Sequence, residues 1–245
     1  MRFVMLSDPH LGDTPSNTAG LDTPARFISA LDAALATRPD ALVMGGDYSF
    51  GEPRSQDVCT VLAAIRERTE IPLHFLAGNH DSPADLAAGL GPDLPVILPA
   101  DGHYYRTELP GGVGAVVLDS SAAQLSEVQW NWLTAELERD GPQLLFIHHP
   151  PYFLGRPFMD NKHPFQQINR FARLMAACEN PPAIFSGHYH ANGAFLFDRV
   201  RLQLCPPTSF FVHPDRPEFS EIERRPGFLV VDITDGRIGV RTEYA

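Results

Sequence analysis

Short segments rich in Asp, Asn and His recur along this chain, each directly after an apolar run: Asp8-x-His10, Gly46-Asp47, Gly78-Asn79-His80-Asp81, His148-His149 and Gly187-His188-x-His190. Imidazole nitrogens and carboxylate or amide oxygens suit borderline divalent cations such as Zn, Fe and Mn, and no CxxC pair offers a softer alternative. Two such cations held roughly 3.5–4 Å apart need a bridging anion to screen their repulsion, and one carboxylate can give an oxygen to each. Asp47 is the candidate for that bridge. In extended chain the i, i+2 spacing puts Asp8 and His10 on one side, and likewise His188 and His190. Glycines beside Asp47, Asn79 and His188 allow the tight turns that would aim these side chains inward. A lone histidine after a strand is more often hydrogen-bonded structure, and Gly-Asp is a common turn. Recurrence at the same kind of position is what structural needs rarely produce.

Each cluster needs an element to aim it. Arg2 to Ser7 reads as a buried strand that breaks at Asp8-Pro9, and Ala41 to Met44 and Pro72 to Leu76 read as the next two. Between them, Asp22 or Thr23 caps a helix through Phe27, Ile28, Leu31 and Leu35, and Val58, Val61, Leu62 and Ile65 mark a second. Ser82-Pro83 opens a third. The second half is richer in strands: Tyr104 to Leu109, Gly112 to Leu118, Gln143 to Ile147, Ala183 to Ser186, Ala194 to Phe197, Arg201 to Cys205, Phe228 to Ile233 and Arg237 to Thr242. Asp235-Gly236 joins the last two as a hairpin. Ser126-x-x-Gln129 resembles a capping box before a helix through Trp130, Leu133 and Leu137, and another helix runs through Ile168, Phe171 and Met175. A loop is expected up to about Pro164. In open α/β sheets ligands bind at the carboxyl ends of strands, so the polar clusters are expected to meet in one crevice.

The chain has 245 residues, 44% of them apolar and 20% charged, which indicates a globular protein, read as one domain over 1–245. Its net charge of -11 disfavours gripping an extended nucleic acid through a basic surface. No apolar run approaches the roughly 18 residues of a membrane span, and the first residues do not resemble a signal peptide, so a cytoplasmic location is the expectation. Cys59, Cys178 and Cys205 are read as incidental thiols.

The set D-x-H, G-D, G-N-H-D, H and G-H-x-H, in this order from Asp8 to His190, resembles the signature of the calcineurin-like metallophosphoesterase superfamily. That resemblance implies a four-layer α/β/β/α sandwich. It also implies two divalent or mixed-valence ions (Fe, Mn or Zn), one held by Asp8, His10, Asp47 and His190, the other by Asp47, Asn79, His148 and His188. His80 matches the family's histidine that contacts phosphate and assists the leaving group, while a hydroxide held between the ions attacks phosphorus in line. The second cluster lacks the Asp-Arg-Gly of protein serine/threonine phosphatases, and the third ends in Asp81 where those usually carry Glu. His148-His149-Pro150-Pro151, Gly155 to Met159-Asp160 and Cys205 to Phe210 resemble bacterial class III cyclic nucleotide phosphodiesterases and glycerophosphodiester phosphodiesterases. The expectation is a phosphodiesterase for small diesters, with cyclic nucleotides leading, glycerophosphodiesters or another small phosphoester as the alternative, and a homodimer as the assembly. A catalytically silent metal-binding scaffold is the competing class, and the intact ligand set weighs against it.

Other residues carry less. Asn79, His80 and His149 are expected near the substrate. Lys162 and His163 could line the pocket, with a solvated loop the favoured reading. Phe210, Phe211 and His213 could stack on a base or cover a subunit contact, so segments 152–164 and 206–220 line either the pocket or an interface. His74 is expected to be a hydrogen-bonded core residue, and His103 has no evident partner.

Overall fold

Alternation along the strands sets the architecture. A computed structural model describes residues 1–12, 20–91, 99–139, 143–222 and 224–245. In β1 (Arg2–Leu6), Val4 and Leu6 enter one apolar core while Phe3 and Met5 enter another. In β2 (Ala41–Met44), Leu42 and Met44 go with the first pair, and Ala41 and Val43 with the second. The same split occurs in β5 (Val113–Leu118) and β6 (Leu144–Ile147). There Val116, Leu118, Leu145 and Ile147 face a third core, and Ala115, Val117, Leu144 and Phe146 share the second. Successive strand residues point to opposite faces, so a middle core shared by two sheets means the sheets lie face to face.

One sheet has the order β13-β12-β1-β2-β3, adding β3 (Leu73–Phe75), β12 (Gly227–Thr234) and β13 (Arg237–Tyr244). The other runs β4-β5-β6-β7-β9-β8, adding β4 (Tyr105–Leu109), β7 (Ala183–Ser186), β8 (Gly193–Phe197) and β9 (Val200–Leu204). Within these sheets β1, β2 and β3 are mutually parallel, and so are β5, β6, β7 and β9. Their carboxyl ends, where the polar clusters sit, therefore share one rim in each sheet.

Helices cover both outer faces. α1 (Thr23–Ala36), α2 (Ser55–Arg66) and α3 (Pro83–Leu90) bury Phe27, Leu31, Val61, Ile65 and Leu86 against the first sheet. α4 (Glu127–Glu138) and α6 (Ile168–Ala177) bury Trp130, Leu133, Phe171 and Met175 against the second. Each such burial contributes about 1.5–3 kcal/mol. The result is the expected α/β/β/α layering. Of the two candidate caps for α1, Asp22 takes the role, accepting from the Ala25 N–H at 2.9 Å. Ser126 caps α4 by accepting from the Gln129 N–H at 3.0 Å, but the box is half made. The Gln129 side chain turns to the residue after β5 instead, accepting from Asp119 N–H at 2.8 Å and donating to its carbonyl at 2.9 Å.

Several expectations change. The segment to Pro164 holds a short helix, α5 (Pro157–Lys162), whose Met159 is buried; six residues give too little periodicity to see in sequence. β10 (Phe211–Val212) and β11 (Glu221–Ile222) form a separate small pair. His74 is buried in β3 with neither ring nitrogen hydrogen-bonded, against the expectation of a satisfied residue; burial pushes its pKa down to about 4. His103 does find partners. Its Nε2 lies 2.7 Å from the Phe75 carbonyl, and its N–H donates to Asp119 at 2.8 Å. Cys205 is buried, and Cys59 and Cys178 are free thiols too.

Candidate metal centre

The five clusters converge. Oxygen and nitrogen atoms of Asp8, His10, Asp47 and His190 lie within 4.8 Å of one another, as do those of Asp47, His148 and His188. Asp47 belongs to both groups: its Oδ2 lies 3.4 Å from His10 Nε2 and 3.2 Å from His148 Nε2. All six residues are buried. Asn79 lies on the surface end of the same rim and lines a cavity with His10, Asp47, His80, His188 and His190.

Getting these side chains inward costs backbone strain. Asp8, His10, Asp47, His188 and His190 all adopt positive φ, from 44° to 66°. A residue with a Cβ pays about 1 kcal/mol or more for that conformation, and such outliers cluster at functional sites. Gly46, at φ 96°, is a position where only glycine fits: a Cβ there would come within 2.7 Å of Gly78 N and 2.8 Å of His148 Nδ1.

Backbone carbonyls set the histidine tautomers. His10 Nδ1 faces the Ser49 carbonyl at 3.1 Å, His148 Nδ1 the Gly45 carbonyl at 2.7 Å, and His190 Nδ1 the Phe210 carbonyl at 2.7 Å. A carbonyl only accepts, so each Nδ1 carries a proton, and in the neutral ring each Nε2 keeps the lone pair. Those lone pairs then meet one another: His10 Nε2 and His190 Nε2 are 3.0 Å apart. His148 Nε2, although close to Asp47, is a buried nitrogen with no aligned hydrogen-bond partner. Facing lone pairs and an orphaned buried nitrogen are unfavourable on their own and favourable around cations. The donor set is all nitrogen and oxygen, which suits Fe, Mn or Zn, so the residues present fit a two-metal centre. His188 donates from Nε2 to the His163 carbonyl at 3.0 Å, leaving Nδ1 for the site.

Burial opposes charge on His148 and His10, but the adjoining Asp47 outweighs it, raising His148 to about 9 and His10 above its usual range, so at these two a cation would take the place of a proton. Burial opposes ionisation of Asp47, but the adjoining His148 and His10 outweigh it and hold its carboxyl well below the usual range. Burial, then neighbouring His148, pushes His188 down to about 3, keeping the imidazole neutral as a metal ligand must be. Burial does the same for His149 and His190.

Asp81, which in the sequence marks only a departure from the protein phosphatases, has a structural task. Its buried carboxylate accepts N–H groups of Asp47 at 2.7 Å, Gly78 at 2.8 Å and Tyr48 at 3.0 Å, tying the second cluster to the third. Burial and the charge of Asp47 raise its pKa to about 7. Ser209, given no role of its own in the sequence, donates from Oγ to the Asp8 carbonyl at 2.6 Å and latches the Cys205 to Phe210 segment onto the end of β1.

His80 is half-buried at the cavity. Its Nδ1 donates to the Gly51 carbonyl at 2.8 Å, and its own N–H donates to Asp47 Oδ1 at 2.9 Å. His149, expected near substrate, is 2% exposed and does not line the cavity. Its ring centroid lies 4.0 Å from that of His188, and its Nδ1 pairs with Ser120 Oγ at 3.1 Å. His163 is exposed and lines the cavity, the pocket reading, while Lys162 is exposed outside it. The α5 turn brings His163 there, held by Asp160, which accepts from Tyr189 Oη at 2.8 Å and from Arg156 N–H at 2.7 Å. The choice left open for 206–220 resolves for Phe210: its ring sits 4.2 Å from His190 and lines the cavity with Phe158 and Phe219. Phe211 is buried beneath, against Tyr244.

This fold and centre define a dinuclear metal phosphoesterase. The family profile for calcineurin-like phosphoesterases matches residues 1–192, and the chain belongs to that family. It is 27% identical over 233 residues to a probable cyclic nucleotide phosphodiesterase of Fibrobacter succinogenes, spanning 95% of this chain and 89% of that protein. It is 36% identical over 197 residues to the glycerophosphodiester phosphodiesterase GpdQ of Enterobacter lignolyticus, spanning 75% of this chain and 67% of that one. In fold it resembles a dimetal phosphatase from Danio rerio, with TM-score 0.72 at 12% identity over 100% of this chain and 96% of that one.

Proposed function

We propose that this phosphoesterase hydrolyses small phosphodiesters, with cyclic nucleotides the leading substrate class. One observation carries the two-metal reading: Asp47 Oδ2 lies between His10 Nε2 and His148 Nε2, whose lone pairs the Ser49 and Gly45 carbonyls aim at it. On that basis Asp8, His10, Asp47 and His190 would hold one ion and Asp47, Asn79, His148 and His188 the other. Two bound divalent ions would supply Lewis acidity at the phosphoryl oxygens and would lower the pKa of a water so that a hydroxide nucleophile is available near neutral pH.

The chain's residues do the rest. His80, pinned through Nδ1 to Gly51, keeps Nε2 for the cavity, where in its protonated form it gives a proton to the departing alkoxide. Asn79 and His80 touch the phosphate from the exposed side of the rim. His149, wedged between Ser120 and His188, positions His188 and does not contact substrate. The aromatic wall of Phe158, Phe210 and Phe219 excludes water from one side of the cavity and offers a face to a planar substituent, which favours a nucleotide. The similarity to GpdQ supports glycerophosphodiesters as the second reading.

A Mn²⁺-loaded preparation is expected to cleave bis(p-nitrophenyl) phosphate, and kcat/KM is expected to be higher for cyclic AMP than for a glycerophosphodiester. No metal-dependent hydrolysis of any diester overturns the function. The reverse order of the last two moves the substrate to glycerophosphodiesters.

A further inference from the structure

Among the described residues the two sheets end in strands paired on one side only, β13 closing the five-stranded sheet and β8 the six-stranded one. These two edges flank the same apolar groove, lined by Ala194 and Leu196 of β8 and by Ile238 and Val240 of β13. Leu196 is 68% exposed and Val240 37%. A long free edge beside exposed apolar side chains is a template for another strand. β13 has eight residues and contains neither the proline nor the lysine that commonly blunts such an edge.

The hydrogen-bond phase of that edge follows from its neighbours. Ile233 of β12 spends both backbone groups on Met1: its N–H donates to the Met1 carbonyl at 2.9 Å, and the Met1 amine donates back at 2.9 Å. Its cross-strand neighbour Ile238 is therefore left with N–H and C=O pointing away from β12. Alternation then gives Val240, Thr242 and Tyr244 the same outward groups. The Ala245 N–H donating to the Pro226 carbonyl at 2.9 Å has the opposite, inward phase, as the alternation requires.

We propose that β13 pairs antiparallel with β13 of a second copy of this chain, about a two-fold axis at Val240. That register places Val240 opposite Val240 and Ile238 opposite Thr242, and all of these carry outward hydrogen-bonding groups. It also places Arg237 of each copy opposite Glu243 of the other, a complementary charge pair formed twice by symmetry. Arg241 falls opposite Gly239, which leaves it room and keeps its ion pairs to Asp232 at 2.8 Å and Glu243 at 2.6 Å. Ile238 and Val240 of the second copy continue the sheet over Leu196 and close the groove. Shifted one residue, the strand would oppose groups already spent on β12.

Sedimentation velocity on the full chain tests this, and the expected species is a dimer. Val240→Pro removes only an outward N–H, so pairing with β12 survives and the far-ultraviolet spectrum stays native. It is expected to weaken association about thirtyfold, since symmetry removes two hydrogen bonds. Arg237→Glu is expected to weaken it about tenfold, and Arg237→Glu with Glu243→Arg to restore it. A monomer at every micromolar concentration overturns the proposal. So does a dimer indifferent to Val240→Pro, or a double variant no tighter than Arg237→Glu alone.

Discussion

At Asp47 one carboxylate serves both halves of the site, and its loss differs in kind from the loss of His80. Asp47→Ala removes the group shared by both clusters, so metal content measured by elemental analysis is expected to fall together with activity. His80 is in neither cluster and carries its own carbonyl partner, so His80→Ala is expected to keep both ions while kcat falls about 10²–10⁴-fold. Equal metal loss in the two variants would contradict the role assigned to His80. At this scale the residue types and their spacing are legible from sequence, because an Asp or His after a strand is a local feature. The tautomers are not. The proton on His148 Nδ1 is set by the Gly45 carbonyl, 103 residues away in the chain. The weight of Asp81 is hidden for the same reason: its partners Asp47 and Tyr48 lie on the neighbouring strand end.

Among the elements, β3 carries an anomaly with a measurable pH signature. His74 is buried without a hydrogen bond, and its pKa sits near 4 against 6.5 for an exposed imidazole. The unfolded chain therefore binds a proton there that the folded one refuses. Above about pH 6.5 this costs nothing, and as pH falls towards 4 it destabilises the fold. The contribution amounts to about 2 kcal/mol by pH 5. In urea unfolding, wild type is expected to lose that much more stability between pH 7.5 and pH 5 than His74→Leu does; an identical pH slope in both would refute it. The strands themselves are readable because their alternation and their Gly, Pro and Asp punctuation are local. α5 is not, because its place depends on Asp160 meeting Tyr189 across the cavity rim.

For the molecule as a whole, the site gathers buried carboxylates, five strained residues and opposed lone pairs at the junction of two sheets. Ions that bind only the folded chain offset that cost, so adding Mn²⁺ to chelator-treated protein is expected to raise Tm. With Asp47→Ala the same addition is expected to leave Tm nearly unchanged. A wild-type Tm indifferent to added Mn²⁺ would contradict the metal-centre assignment. No helix among the described residues is long and apolar enough to cross a membrane. The sequence by itself determined the α/β class, the strand that precedes each polar cluster and the ligand-type residues, since these follow from periodicity and side-chain chemistry within a few residues. Only the tertiary structure decided that His149 stands behind His188, that His163 and Phe210 face the cavity, and that β13 ends its sheet among the described residues. Those outcomes depend on which distant segments pack together, and a buried polar group is satisfied or orphaned by neighbours that its local sequence does not name.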